Sequence, residues 1–187
     1  MQEREAINEI LLNINELPLD TSDVIEDINI AIVAKNWLDI ARKQILSRGW
    51  EFNSTTITLT PNTSGYIVIP TAFLSVDGTS DTDTYVVRDW KLFDKELLSY
   101  QFTTTVECDI IEDISFDDIP HTLANYIVKT ASLMAYSNII GDANGMSSRA
   151  SMLREVKIDA LAEDANKMDG NVLTSTFATT ALDRTSL

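Results

Sequence analysis

The 187-residue chain has one cysteine, one histidine, six glycines, four prolines and only 14 basic residues against 29 acidic ones. Each scarcity closes off a class of protein. With Cys108 alone, no internal disulfide forms and no oxidising compartment is required, so a cytoplasmic origin is expected. With His121 alone, any Ser-His-Asp or Cys-His apparatus depends on one residue that follows Pro120 at a helix start, and no nucleophile-elbow motif accompanies it. Glycine-rich phosphate loops, zinc spacings and dinucleotide fingerprints are missing, and no cofactor is expected. No apolar run approaches the ~20 residues a membrane helix needs, and the first residues lack the positive start and apolar run of a signal peptide. A soluble chain not exported by the usual route is therefore expected. The formal net charge of -15 repels free DNA and anionic membranes, because gripping a polyphosphate requires lysine and arginine to displace counterions.

What is present is a 44% hydrophobic chain, enough for one compact α+β unit. Residues 2–17 place Ile7, Ile10, Leu11, Ile14 and Leu17 on one helix face, with Pro18 as the stop. Ser22 with Asp23 and Glu26 reads as a capped start for a second helix running to about Arg48, its apolar face holding Ile30, Val33, Ala34, Trp37, Ile40, Ala41 and Ile45. Gly49 ends that helix, since glycine reaches the left-handed conformation without a Cβ clash. Period-two alternation follows at Thr56–Leu59. The turn residues Pro61 to Gly65 then lead to Tyr66-Ile67-Val68-Ile69, and the spacing predicts a hairpin. Phe73 to Val76 and Tyr85 to Arg88 read as strands, with a polar turn between them from Asp77 to Asp83. In Val106 to Ile110 the alternation puts Cys108 on the inner face, a small buried hydrophobe. Helical spacing returns after Pro120, with Leu123, Ile127, Ala131 and Met134 closed by Gly141. It returns again from Ala150 to Met168.

The predicted architecture is a four-helix bundle made from both ends of the chain, with a small antiparallel sheet inserted: residues 1–50 helical, 51–115 β-rich, 116–168 helical and 169–187 an extended tail. The carboxylates Asp109, Glu112, Asp113, Asp117 and Asp118 cluster before the third helix, and an acid pair is the working part of a glycosidase. In a chain of this charge the same cluster is expected as a solvated face or as helix-start acids. The Asp81, Asp83 and Thr84 loop lacks the order of a calcium loop, so no metal site is expected. Aromatics are more telling. Trp37, Trp50, Trp90, Tyr66, Tyr85 and Phe93 exceed what one small sheet needs and lie at element junctions, which favours an assembly protein.

Several pieces in order carry a resemblance: Ser47-Arg48-Gly49-Trp50 with Phe52-Asn53 after a long helix, Thr58-Leu59-Thr60-Pro61 before Ile67 to Pro70, Tyr85-Val86-Val87-Arg88 before Leu92-Phe93-Asp94, Phe116-Asp117-Asp118-Ile119-Pro120, and Tyr126 to Ser132. Together the chain resembles the tail tubular protein A family, the head-to-tail adaptor or gatekeeper of short-tailed bacteriophages. The resemblance implies a homo-oligomeric dodecameric ring in the virion, assembled in the bacterial host cytoplasm. The ring sits between the portal protein and a nozzle of the tail tubular protein B type, with DNA passing the lumen unbound and no membrane involved. It also implies portal and ring contacts at Asn36, Asp39 and Lys43 and along the C-terminal segment at Val172, Phe177, Leu182 and Leu187. Nozzle contacts are implied at the loops of Asn62, Ser64 and Gly65 and of Gly78, Asp81 and Asp83. An acidic lumen would keep DNA from adhering, while the same charge opposes ring closure and favours a monomer until the portal is met. Two other readings stay open. One is a tail-associated polysaccharide hydrolase using Glu112, Asp113, Asp117 or Asp118; the other is a generic cytoplasmic interaction domain.

Overall fold

Glu3–Asn13 form the first helix, α1, whose free N-terminal amides are capped by two carboxylates. The Gln2 amide donates to Glu5 Oε2 at 2.9 Å, and the Glu3 amide donates to Asp117 Oδ1 at 2.7 Å. Ala6, Ile7, Ile10 and Leu11 make the buried stripe. The helix stops at Asn13, short of the expected Leu17, because Asn15 turns left-handed with φ of 63° and the Glu16 amide donates back to the Leu11 carbonyl. Leu17 is left 86% exposed.

The structure is a computed structural model that describes residues 1–80 and 84–172. It comprises two compact units, Met1–Arg42 with Phe116–Leu187, and Lys43–Ser115. Mixed helices and a small antiparallel sheet make an α+β fold, as the periodicities indicate.

The second helix, α2, spans Asn29–Leu46, most of it in the first unit, and so begins later than Ser22 and Asp23 predict. Those residues belong to a turn. Arg4 donates to the carbonyls of Asp20 and Asp23, both at 2.8 Å, and the Asp20 amide donates to the Asp23 carboxylate. A short 3-10 turn at Ile25–Asp27 then leads into α2. The third helix, α3, covers His121–Ile139 and buries Leu123, Ala124, Ile127, Val128, Ala131 and Ala135. It ends where Gly141 takes a φ of 72°, as its sequence position predicts. α3 packs against α1 and against the fourth helix, α4, Ala143–Val172.

α4 starts earlier than Ala150 because Asp142 caps it, accepting from the Gly145 amide at 2.6 Å. It runs through Val172, past the composition change at residue 169. Phe177, Leu182 and Leu187 lie outside the described residues. At the α3–α4 corner Gly145 has no room for a side chain, since a Cβ there would meet the Tyr136 hydroxyl at 2.2 Å. The Arg149 guanidinium lies 3.7 Å from the Tyr136 ring centroid and donates to the Asn13 carbonyl at 3.1 Å, joining the end of α1 to the start of α4.

Among the described residues the second unit contains five strands: β1 Ser54–Leu59, β2 Phe73–Gly78, β3 Tyr85–Arg88, β4 Lys91–Asp94 and β5 Val106–Glu112. β5 is the middle of an antiparallel sheet ordered β1-β5-β2, and β3 pairs with β4. The expected hairpin between Thr56–Leu59 and residues 66–69 does not form. β1 pairs instead with β5, Ile57 opposite Cys108 and Leu59 opposite Val106, while Tyr66 and Val68 bridge to Gln101 and Lys91. Alternation fixes which face is apolar but not which strand lies alongside. Gly78, expected in a turn, closes β2 opposite Cys108. The core joins Ile67, Ile69, Val76, Leu92, Val106, Cys108 and Ile110, so Cys108 is the buried hydrophobe its position predicts.

The joint after α2 belongs to this unit. Gly49 has a φ of 78°, and a Cβ there would press on the Ser54 hydroxyl at 3.1 Å and Ile111 at 3.2 Å. The Trp50 indole donates to the Ile45 carbonyl at 2.8 Å. Asn53, only 2% exposed, donates to the carbonyls of Leu46 (3.3 Å) and Glu112 (2.9 Å) and accepts from the Trp50 amide (2.8 Å). The indole and the carboxamide thus add side-chain donors to the Ile45 and Leu46 carbonyls, which also accept from the Arg48 and Gly49 amides, and the carboxamide ties the helix end to the Glu112 carbonyl at the end of β5.

Candidate assembly surfaces

α2 has two apolar faces. Ala31, Ala34, Leu38, Ala41 and Ile45 are buried, whereas Val33 (38%) and Ile40 (50%) are exposed on the opposite side. The apolar face read from the sequence is therefore rotated: Val33 and Ile40 belong to the outer stripe, and Ala31 and Leu38 to the inner. Because apolar residues circle the helix, periodicity alone left two stripes to choose from. Asn36 and Lys43 are exposed beside Ile40, at heptad spacing along the outer stripe. Asp39 is half-buried and paired with Arg42 at 3.5 Å. An exposed apolar stripe flanked by polar residues on a soluble helix is the composition of a protein contact.

The remaining residues named from the sequence serve different local roles. Asn62 and Ser64 are exposed, and the Asn62 carboxamide accepts from the amides of Ser64 (2.9 Å) and Tyr66 (3.1 Å), holding the loop closed. Gly65 is there for its φ of 80°, and its carbonyl accepts from the Phe102 amide at 2.8 Å. Asp81 and Asp83 lie outside the described residues. His121 is exposed in the first turn of α3.

The carboxylates of the hydrolase reading are drawn into other work or kept apart. Asp117 caps α1, Asp118 is exposed, and Asp109 accepts from the Thr56 hydroxyl at 2.6 Å. The cleft of about 420 Å³ on the sheet is lined by Asp77 and Asp109, along with Arg48 and Thr56, and not by Glu112 or Asp113. No group of three or more His, Cys, Asp or Glu that could hold a metal occurs among the described residues. Among them, no helix is long and apolar enough to cross a membrane.

Sequence reasoning missed one surface. β3 and β4 are joined by the two-residue turn Asp89-Trp90, with φ of 49° and 57°. Such turns need positive φ at both positions and usually hold Asn-Gly, so this pair does not announce itself. The signal available was the spacing of two residues between the strand-like runs Val86–Arg88 and Lys91–Phe93. Trp90 is 54% exposed at the tip, with Val68 58% exposed beside the hairpin.

These surfaces, rather than a cavity, are what the chain offers, and the comparisons with known proteins agree with that emphasis. The family model described as tail tubular protein matches residues 4–169. Tail tubular protein A of Klebsiella phage KP34 is 27% identical over 166 residues, covering 87% of each chain. The match runs through α1, the Gly49–Asn53 joint, the whole strand unit and nearly all of α4. The chain belongs to the tail tubular protein family.

Proposed function

We propose that this phage tail component is a head-to-tail adaptor: a dodecameric ring between the portal and the tail nozzle of a short-tailed virion, with DNA passing its lumen. The observation that carries the reading is the family match over residues 4–169, and α2's exposed stripe supports it. In this reading the four helices of residues 1–50 and 116–168 act as a bundle that meets the portal and neighbouring copies. Asn36, Asp39 and Lys43 contribute there, with the tail of residues 169–187 through Val172, Phe177, Leu182 and Leu187. The strands of residues 51–115 form the platform for the nozzle, through the loops at Asn62, Ser64 and Gly65 and at Gly78, Asp81 and Asp83. The role is structural, without catalysis.

The charge of -15 gives the lumen the sign of the genome, so DNA slides without adhering. The same repulsion keeps the copies apart until a portal templates them. Electron microscopy of the purified protein mixed with portal rings tests the reading, with an added ring on the portal's tail end as the expected result. Bare portals at saturating protein would overturn it. Light scattering of the protein alone is expected to give a monomer mass, and a stable ring without portal would overturn the templating step.

A further inference from the structure

The hairpin and the run beside it present a cationic aromatic face in an acidic chain. Val68 bridges Lys91, Arg88 pairs with Lys91 and Val86 with Phe93, so these residues share one face. The Arg88 guanidinium lies 4.2 Å from the Phe93 centroid, and Lys91 Nζ lies 4.8 Å from that of Tyr66. Acids outnumber bases 29 to 14, yet neither cation forms an ion pair with a carboxylate among the described residues. Lys35, Arg42, Lys129 and Lys167 do, whereas Arg88 and Lys91 lie against aromatic rings. Val68 is exposed on this face and Trp90 at the hairpin tip, while the Phe93 ring beneath Arg88 is buried, and arginine with tryptophan is the composition in which binding energy concentrates. Trp90 sits in left-handed backbone, which costs a residue with a Cβ about 1–2 kcal/mol.

The same unit offers the complement. On the outer face of the three-stranded sheet Asp77 stands directly opposite Asp109, and Glu107 lies two residues along β5. Like charges opposed across strands destabilise a sheet. None of the three strands carries a lysine or arginine, and Arg48, before β1, is among the described residues the one cation lining the cleft that holds Asp77 and Asp109. Deepening the ring reading, on which this rests, we infer that the Arg88–Lys91 face of one copy docks on the Asp77–Asp109 face of the next copy. The two faces differ, so the contact is head-to-tail and propagates into a ring where the rotation closes. Three cations within residues 85–95, offset by Asp89 and Asp94, are too few and too balanced to hold a polyphosphate, which favours a protein partner over DNA.

Two charge-reversed proteins test the contact: one with Arg88→Glu and Lys91→Glu, the other with Asp77→Lys and Asp109→Lys, each checked for native circular dichroism. Particle assembly is scored in infections where the wild-type gene is replaced. Each variant alone is expected to lower ring assembly on portals at least about tenfold. An equimolar mixture restores rings, because the faces then alternate in sign. In wild-type particles built from isotopically light and heavy copies, carbodiimide is expected to link Lys91 to Asp77, Glu107 or Asp109 across copies. Rings from either variant alone, or Lys91 linked only elsewhere, would overturn this contact and leave the adaptor reading standing. Loss of DNA retention in gel shifts by the Arg88/Lys91 variant, with copies still associating, would overturn it in favour of the genome. Absence of the wild-type protein from particles would defeat the adaptor reading itself.

Discussion

The two units of this chain use positive charge differently. In the helical unit several lysines and arginines are internal fasteners: Lys35 pairs with Glu3, Lys129 with Glu9, and Arg149 ties Tyr136, Gly145 and Asn13 together. In the strand unit Arg88 and Lys91 rest on aromatic rings, and the joint after α2 is held by a neutral amide and an indole. Where charge is used to hold helices it is spent within the fold; where neutral groups do the holding, charge is left for presentation at the surface.

The contrast can be broken deliberately. Leu92→Ala empties a fully buried site in the small core of the strand unit and is expected to cost about 2–5 kcal/mol, seen as early loss of amide protection in β1, β2 and β5 by hydrogen exchange. Asn53→Ala removes the acceptor of the buried Trp50 amide and the side-chain donor to the Glu112 carbonyl, and is expected to cost about 1–3 kcal/mol in urea unfolding. In the helical unit, Gly145→Ala must displace the Tyr136 ring from under Arg149 and is expected to cost about 1–3 kcal/mol. A stability equal to wild type there would mean the corner is looser than its geometry indicates. Lys129→Met removes a half-exposed pair and is expected to change unfolding free energy by less than about 1 kcal/mol, a deficit that shrinks in high salt. Smallest of all in stability is Ile40→Ser on α2's outer stripe, within about 0.5 kcal/mol, yet it is expected to weaken capture on portal rings. Normal capture would remove that stripe from the portal contact.

Much of this organisation was legible in the sequence, though unevenly. α3 read correctly because one apolar stripe runs between Pro120 and Gly141, leaving a single solution. Cys108 read correctly because β5 alternates cleanly. α2's buried side did not, since Val33 and Ile40 are as apolar as Ala34 and Ala41 and only packing distinguishes them. Its start was misplaced because Ser22 and Asp23 have the composition of a cap but are bound into a turn by Arg4, a residue 19 positions from Asp23. β1's partner lay beyond reach for a related reason: a strand's own residues encode its face, while Thr56 and Asp109 meet although they stand 53 positions apart. Of the assembly surfaces, Asn36 and Lys43 could be put on a helix by spacing. The Arg88–Lys91 face required the register of a hairpin whose turn residues disguise it.

That disguise has a consequence for anyone improving this protein. Replacing Trp90 with glycine would relax the left-handed backbone at the tip. A laboratory selection for heat tolerance alone would therefore drift toward removing the tryptophan at the hairpin tip, 54% exposed, and with it whatever that surface holds.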